Sequence, residues 1–408
     1  LTLVAASSII RPGVARSGMM RTYIERFHAV QRGETYEAIH PLMDKLMKET
    51  YGVMVYQEDV IKVAHHFAGL TLTEADVLRR GMSGKYRSRQ EFQLVQERYF
   101  ECCRERGYDE AIADRVWYEI ESFSGYSFAK GHSASYAVES YQSLYLKAHY
   151  PLEFMVGVIN NFGGFYRTEF YFHEARMNGA TIEAPCVNRS EYLTTIYGTF
   201  IYIGFIHLKS LETKVALQIA VARERDGEYK SLDNFLRRIT LGLEQIRILI
   251  RMGSFRFTGK SKQQLLWEAM LYFGNIKSHN KTTVDLFDTE PKEYPLPVLH
   301  RNPLEDAFDE IELLGFSLCD PFLLVDSPER GDALARQLME RLGKQVHIVG
   351  YVVTTKNTSI LKGEPMYFGT FYDTHGEVFD TVHFPGIARQ YPFRGRGFYS
   401  IKGKVVED

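Results

Sequence analysis

Two segments carry residues whose types and spacing suit phosphate. The run LRRGMSGKYRSR (Leu78 to Arg89) sets Arg79, Arg80, Lys85, Arg87 and Arg89 around Gly81 and Gly84, with no acidic residue among them. Adjacent arginines offer planar, bidentate forks to phosphate oxygens, and glycines between helices let backbone N–H groups converge on one anion. A charge run is most often a solvated surface; the place of this one between two helices favours phosphate. The second segment, FSGYSFAKGHSASYAVESYQSLYLKAHYPL (123 to 152), puts Lys130 and His132 among small hydroxyl residues directly before a long helix. An imidazole there can meet a sugar or a phosphate; His132 alone reads first as a hydrogen-bonded loop histidine, and with Lys130 and the glycines beside it the two readings stand even. Tyr126, Tyr136 and Tyr141 have faces on which bases could stack, and core packing is the plainer reading of each. Together the two segments point to nucleotide or nucleic acid.

Other patterns do not survive their spacing. Gly253 to Ser261 imitates a phosphate-binding P-loop, but five residues separate Gly253 from Gly259 and a helix precedes it, so the usual cradle cannot form. His65 and His66 are neighbours, and neighbouring side chains on a helix diverge by about 100°, which makes a shared metal ion a poor reading. The four cysteines, Cys102, Cys103, Cys186 and Cys319, show neither a disulfide framework nor zinc spacing; a reducing cytoplasm fits. In Thr283-Val284-Asp285-Leu286-Phe287, an apolar pair sits in polar, proline-flanked chain. It reads equally as a docking peptide for a partner or as a segment packed on its own domain.

These residues need elements to hold them. A chain of 408 residues with a net charge of -2 exceeds one ordinary core, so two to four domains are expected. No stretch is long enough to span a membrane, LTLVAASSII lacks the basic start of a secretory signal, and a chain beginning at Leu1 reads as a piece of something longer. From 34 to 178 the period is helical: Val60, Val63, Ala64 and Phe67 share one face and Gly69 closes that helix. Thr73 with Asp76 is expected to cap the helix that ends in Arg79-Arg80, and Ser88 with Glu91 the next, whose face is Phe92, Val95, Tyr99 and Cys102. Ile112, Val116, Ile120 and Phe123 give a third helix, Ser133 to His149 a fourth, and Pro151 opens a fifth. A short hairpin is expected within 181 to 206, then helices to 255, and a proline-rich linker over 274 to 308. Beyond Gln345 the period becomes two, and four strand-like runs suggest a barrel of oligonucleotide-binding (OB) type.

Several long motifs, in order, carry a resemblance: IIRPGVARSGMM (Ile9 to Met20), YGVMVYQEDVIKVA (Tyr51 to Ala64), TLTEADVLRRGMSGK (Thr71 to Lys85), Phe123 to Phe154, and LIRMGSF (Leu249 to Phe255). The chain resembles the C-terminal portion of the bacterial DNA polymerase III alpha subunit, the C-family replicative polymerase. The resemblance implies a multidomain, mainly α protein with a C-terminal all-β OB-fold barrel. Its parts would be the end of the palm (1–20), fingers (21–200), a tandem helix-hairpin-helix domain (201–273), a linker with a clamp-binding motif (274–315) and the OB domain (316–408). Arg79, Arg80, Lys85, Lys130 and His132 would hold the incoming dNTP. Arg87, Arg89, Lys209, Lys260 and Lys262 would touch primer-template DNA, and Asp285, Leu286 and Phe287 would engage the sliding clamp. Two Mg²⁺ ions would be held by palm aspartates that precede this chain, and other replicase subunits would be partners in the cytoplasm. The chain departs from the family at the first hairpin, where Ile206-His207-Leu208-Lys209-Ser210-Leu211 lacks the expected glycines. It departs again at Thr283, where the clamp motif prefers glutamine. A non-catalytic DNA-binding scaffold and an error-prone translesion relative are the alternatives.

Overall fold

A computed structural model describes residues 2–10, 17–81, 89–122, 128–278, 302, 304–360 and 363–407. Packing divides the chain into two compact units, Leu1–Tyr145 and Leu146–Asp408. Residues 146–200, grouped by sequence with the helices before them, share their core with the helices that follow.

The first unit is helical: α1 (Thr2–Ile9), α2 (Met19–Gln31), α3 (Pro41–Leu46), α4 (Gln57–Lys62), α5 (Leu72–Gly81), α6 (Arg89–Glu105), α7 (Glu110–Ser122) and α8 (Lys130–His149), which runs past the division. The expected apolar quartet Val60, Val63, Ala64 and Phe67 is fully buried, each large side chain contributing about 1.5–3 kcal/mol. Val63–Ala68 continues α4 as a π-helix, a widening that hydrophobic spacing does not register. Gly69 ends it at φ 88°, with Leu70 N–H returning to the Ala64 carbonyl at 3.1 Å. The Arg106 guanidinium lies over Gly69, donating to the His66 and Phe67 carbonyls at 2.8 and 3.0 Å, so a Cβ there would meet both strain and a cation.

Two helix starts differ from expectation. Thr71, not Thr73, caps α5: its N–H and hydroxyl donate to Glu74 at 2.8 and 2.7 Å, and its hydroxyl accepts from Glu74 N–H at 3.3 Å. Helix α8 begins at Lys130 rather than Ser133, because a carboxylate from elsewhere in the unit supplies the cap (below). Ser133 is instead buried, its hydroxyl bonded to that of Ser8. The expected Ser88 cap and Phe123 lie outside the described residues.

The second unit opens with α9 (Pro151–Asn160), where Pro151 takes the first position as its spacing implied, and α10 (Thr168–Met177). The expected hairpin is present as β2 (Thr195–Tyr197) and β3 (Phe200–Tyr202). It gains a third strand, β1 (Thr181–Glu183), parallel to β3. Helices α11 (Thr213–Asp226), α12 (Leu232–Arg238), α13 (Leu243–Arg251) and α14 (Lys262–Ser278) close one core around Phe205, Ile219, Phe235, Leu249 and Phe255. The end of the expected linker is helix α15 (Glu305–Leu313), whose Leu313 joins that core.

The C-terminal strands pair antiparallel in the order β6-β5-β4-β7: β4 (Gln345–Ser359), β5 (Pro365–Tyr372), β6 (Val378–His383) and β7 (Phe398–Lys404), with α16 (Pro385–Gln390) before β7. The first half of β4 pairs with β7 and the second with β5, and a bulge between Val352 and Thr354 bends it, so the sheet curls into an OB-like half-barrel. Phe371 and Phe379 fill its interior and press on Gly350, where a Cβ would come within 2.7 Å of the Phe379 ring. The opposite face, through Val349, Val353 and Tyr372, packs on Phe170 of α10. Among the described residues no helix is long and apolar enough to cross a membrane.

Candidate functional site

The first cationic segment is positioned by a helical hairpin. The turn at Gly69 folds α5 back so that it packs chiefly on α4 rather than on the π-helical half next to the turn. Arg79 and Arg80, in the last turn of α5, therefore lie back beside α4, at a helix end where the backbone dipole favours cations. Sequence reading saw no acid within this run; one lies a turn earlier. Asp76 accepts from Arg79 Nε at 2.8 Å and lies 3.0 Å from Arg80 Nε, the i,i+3 and i,i+4 spacings that suit an acid placed N-terminal to a base. Both pairs are substantially exposed. Lys85 and Arg87 lie outside the described residues, and Arg89 opens α6.

The second segment meets the start of the same helix α4. Gln57 N–H donates to the Phe128 carbonyl at 3.2 Å, and Lys130 N–H donates to both Glu58 carboxylate oxygens at 2.9 and 3.1 Å. The first turn of α8 thus carries an anion, as helix N-termini do. The Lys130 ammonium pairs with Glu49, which holds that carboxyl below the usual carboxylate range, and lies 5.7 Å from the centre of the Tyr56 ring. His132 is exposed, its ring 5.0 Å from that of Phe128 and 6.5 Å from that of Tyr136, an aromatic row along one side of α8. Helix α4 accordingly has the arginine-bearing helix alongside it and the Lys130 turn at its start.

The cations expected to meet DNA belong to the second unit and differ in their commitments. Lys209 is exposed, while its N–H donates to the Leu313 carbonyl at 2.9 Å. Ser210 beside it holds φ 65°, the left-handed conformation that glycine adopts without strain. Gln245 braces this hairpin, donating to the Ser210 carbonyl at 3.0 Å and accepting from Glu212 N–H at 2.7 Å. Burial pushes His207 down to about 4, so it is neutral, and it meets Thr194 Oγ1 at 3.1 Å. Lys260 follows Gly259 at φ 70° in the second hairpin; it is exposed and pairs with Glu268 at 2.5 Å. Lys262 is only 17% exposed and is held by Asp306 and Asp309 at 2.7 and 2.8 Å. Arg251 completes that cluster, reaching Asp309 at 2.8 Å and Glu312 at 2.5 Å, and fastens α15 to α13 and α14.

The P-loop imitation joins α13 to α14, helix to helix. His65 Nδ1 meets the Leu70 carbonyl at 2.7 Å, and among the described residues no three His, Cys, Asp or Glu side chains are grouped to hold a metal ion. Asp285, Leu286 and Phe287 lie outside the described residues, as does Tyr126. Sequence reasoning missed the carboxylates. Asp76 was legible from its helical spacing to Arg79 and Arg80; Glu49 and Glu58 meet Lys130 only through the fold.

Comparison with known proteins adds two family matches. Residues 2–107 match the bacterial DNA polymerase III alpha subunit finger domain, and residues 179–265 match a helix-hairpin-helix motif. The chain is 31% identical over 405 residues to DNA polymerase III subunit alpha of Treponema pallidum, covering 94% of this chain and 34% of that protein. It is 37% identical over 322 residues to the subunit of Thermus aquaticus, covering 77% and 26%. With the subunit of Aquifex aeolicus it shares 34% over 268 residues, covering 65% and 23%. The chain thus spans about a third or less of the length of these relatives.

Proposed function

Because the chain belongs to the bacterial DNA polymerase III alpha-subunit family, we propose that it supplies the nucleotide- and DNA-holding part of a replicative, template-directed DNA polymerase. The reaction is attack of a primer 3′-hydroxyl on the α-phosphate of a dNTP. Arg79, Arg80 and Lys130 neutralise the triphosphate and orient it for in-line displacement, with Lys85 on the same run and His132 near the sugar. The observation that carries this reading is that both segments, distant in sequence, contact the short helix α4: α5 packs along it, and the Lys130 N–H donates to Glu58 in its first turn. The two Mg²⁺ ions of such chemistry would be held by aspartates of the palm, where they would neutralise the charge developing on the phosphates.

The remaining roles follow the second unit. The helix-hairpin-helix region grips duplex backbone, with Lys209 and Lys260 the exposed cations, Lys262 tied to its carboxylates, and Arg87 and Arg89 contributing from the first unit. The half-barrel lies near single-stranded template, and Asp285, Leu286 and Phe287 dock in the sliding clamp. Chromosomal replication with other replicase subunits sets the cytoplasm as its place. The test is Arg80→Ala in the full-length protein. Loss of a charge-assisted contact to the triphosphate should lower kcat/KM for dNTP by about 10- to 100-fold, with primer-template affinity kept. An unchanged response to nucleotide concentration sinks the assignment.

A further inference from the structure

Each described cation assigned to the triphosphate already faces a carboxylate of the same unit. Asp76 bridges Arg79 and Arg80, Glu49 pairs with the Lys130 ammonium, and Glu58 presents both oxygens to the Lys130 N–H. The last contact puts an anion where helix N-termini take phosphate: two carboxylate oxygens on one backbone donor of the first turn. Two of these carboxylates are well exposed, Asp76 at 40% and Glu49 at 59% of the side chain, so their pairs are weak enough to exchange. None of the three is needed to fill the core.

We propose that Asp76, Glu49 and Glu58 are specificity-determining residues: they occupy the phosphate seats of the site and yield to a ligand that replaces several negative charges at once. The inference rests on the reading of Arg79, Arg80 and Lys130 as triphosphate ligands. A monophosphate or inorganic phosphate can displace one carboxylate and leaves the others paired. A nucleoside triphosphate reaches several seats along one chain of phosphates, so every displaced carboxylate is matched by a new anion, and the later contacts are intramolecular. The exchange leaves the cations compensated before and after binding. Selectivity for chain length then arises from competition inside the site, without a pocket that measures the phosphate tail. The freed Asp76 and Glu49 carboxylates turn to water, which their exposure allows.

The experiment is equilibrium binding of N-methylanthraniloyl-dATP to the full-length protein without primer, with dATP, dAMP and inorganic phosphate as competitors. Glu49→Gln and Asp76→Asn remove a competitor while keeping size and shape. Each should tighten the fluorescent triphosphate by about two- to fivefold, the equilibrium weight of an exposed ion pair. Each should also improve dAMP relative to dATP, narrowing the preference for the longer chain. Lys130→Ala and Arg80→Ala should weaken triphosphate binding. If these two weaken it while E49Q and D76N leave both affinities and their ratio at wild type, the carboxylates are not competitors and the inference falls, with the site intact. If Lys130→Ala and Arg80→Ala change nothing, the site itself is misread. Thermal unfolding of each variant separates these results from misfolding, and should D76N unfold, E49Q alone decides.

Discussion

Glu119→Gln should stabilise this chain in a pH-dependent way. Glu119 lies on α7 with 5% of its surface exposed, and among the described residues its Oε2 has no hydrogen-bond partner; Arg115 Nε is 3.7 Å from Oε1. Burial, opposed only partly by Arg115 and Arg26, pushes its carboxyl up from 4.5 to about 7. A raised carboxyl means that the folded chain holds a proton which the unfolded chain has released. Its contribution is therefore complete below about pH 4.5 and is lost as pH rises through about 7, a swing of about 3 kcal/mol. Glutamine stays neutral throughout. The variant should match wild type near pH 4.5 and exceed it by about 3 kcal/mol at pH 8. The chain has 2 tryptophans, Trp117 on α7 and Trp267 on α14. A Trp267→Phe background makes urea unfolding followed by fluorescence report on the first unit alone. Subtracting wild type from variant removes the histidines that titrate in the same window. A difference that stays constant from pH 4.5 to pH 8 refutes the reasoning.

Two further outcomes separate DNA contacts from scaffolding. Lys260→Ala should weaken duplex binding, reduce the slope of log K against log salt by about one and leave unfolding unchanged. Lys262→Ala should instead cost about 1–3 kcal/mol of stability, because Asp309 at 11% side-chain exposure loses one of its two cations; equal effects of the two on DNA and on stability would erase the distinction. Replacing Leu286 and Phe287 together by alanine should shorten products on clamp-loaded DNA while sparing extension of short primers, and an equal loss in both assays would point to folding.

The sequence disclosed what local spacing controls. The buried quartet from Val60 to Phe67, the Gly69 stop, the Val95, Tyr99 and Cys102 face and the four C-terminal strands all follow from side-chain period. Two kinds of feature were hidden. Choices between near-equal local partners depend on small differences: Thr71 precedes α5 while Thr73 falls in its first turn, and the Glu74 carboxylate decides for Thr71. Contacts across the fold leave no spacing at all, as with Glu58, which starts α8 at Lys130 from 72 residues away. The parallel pairing of β1 with β3 is of the second kind. Helix α15 was hidden differently: the prolines of the preceding segment masked the spacing of its buried Ala307 and Leu313.

The two hairpins of the helical region show why charge count alone would mislead about DNA. In the first, Lys209 N–H is committed to the Leu313 carbonyl, Glu212 N–H to Gln245, and His207 is neutral, so few donors remain to meet a phosphate. Ser210 nevertheless keeps the left-handed turn at φ 65° that a glycine would give, which preserves the path of the chain while its donors serve internal partners. In the second, Gly259 makes the same turn with no Cβ to accommodate, and Lys260, itself exposed, extends from it to pair with the half-buried Glu268. Lys262, two residues on, is spent with Arg251 on Asp306, Asp309 and Glu312, which anchors α15. Affinity for duplex backbone should therefore concentrate at Lys260 although several lysines lie nearby, and the comparison of Lys260→Ala with Lys262→Ala tests that asymmetry directly.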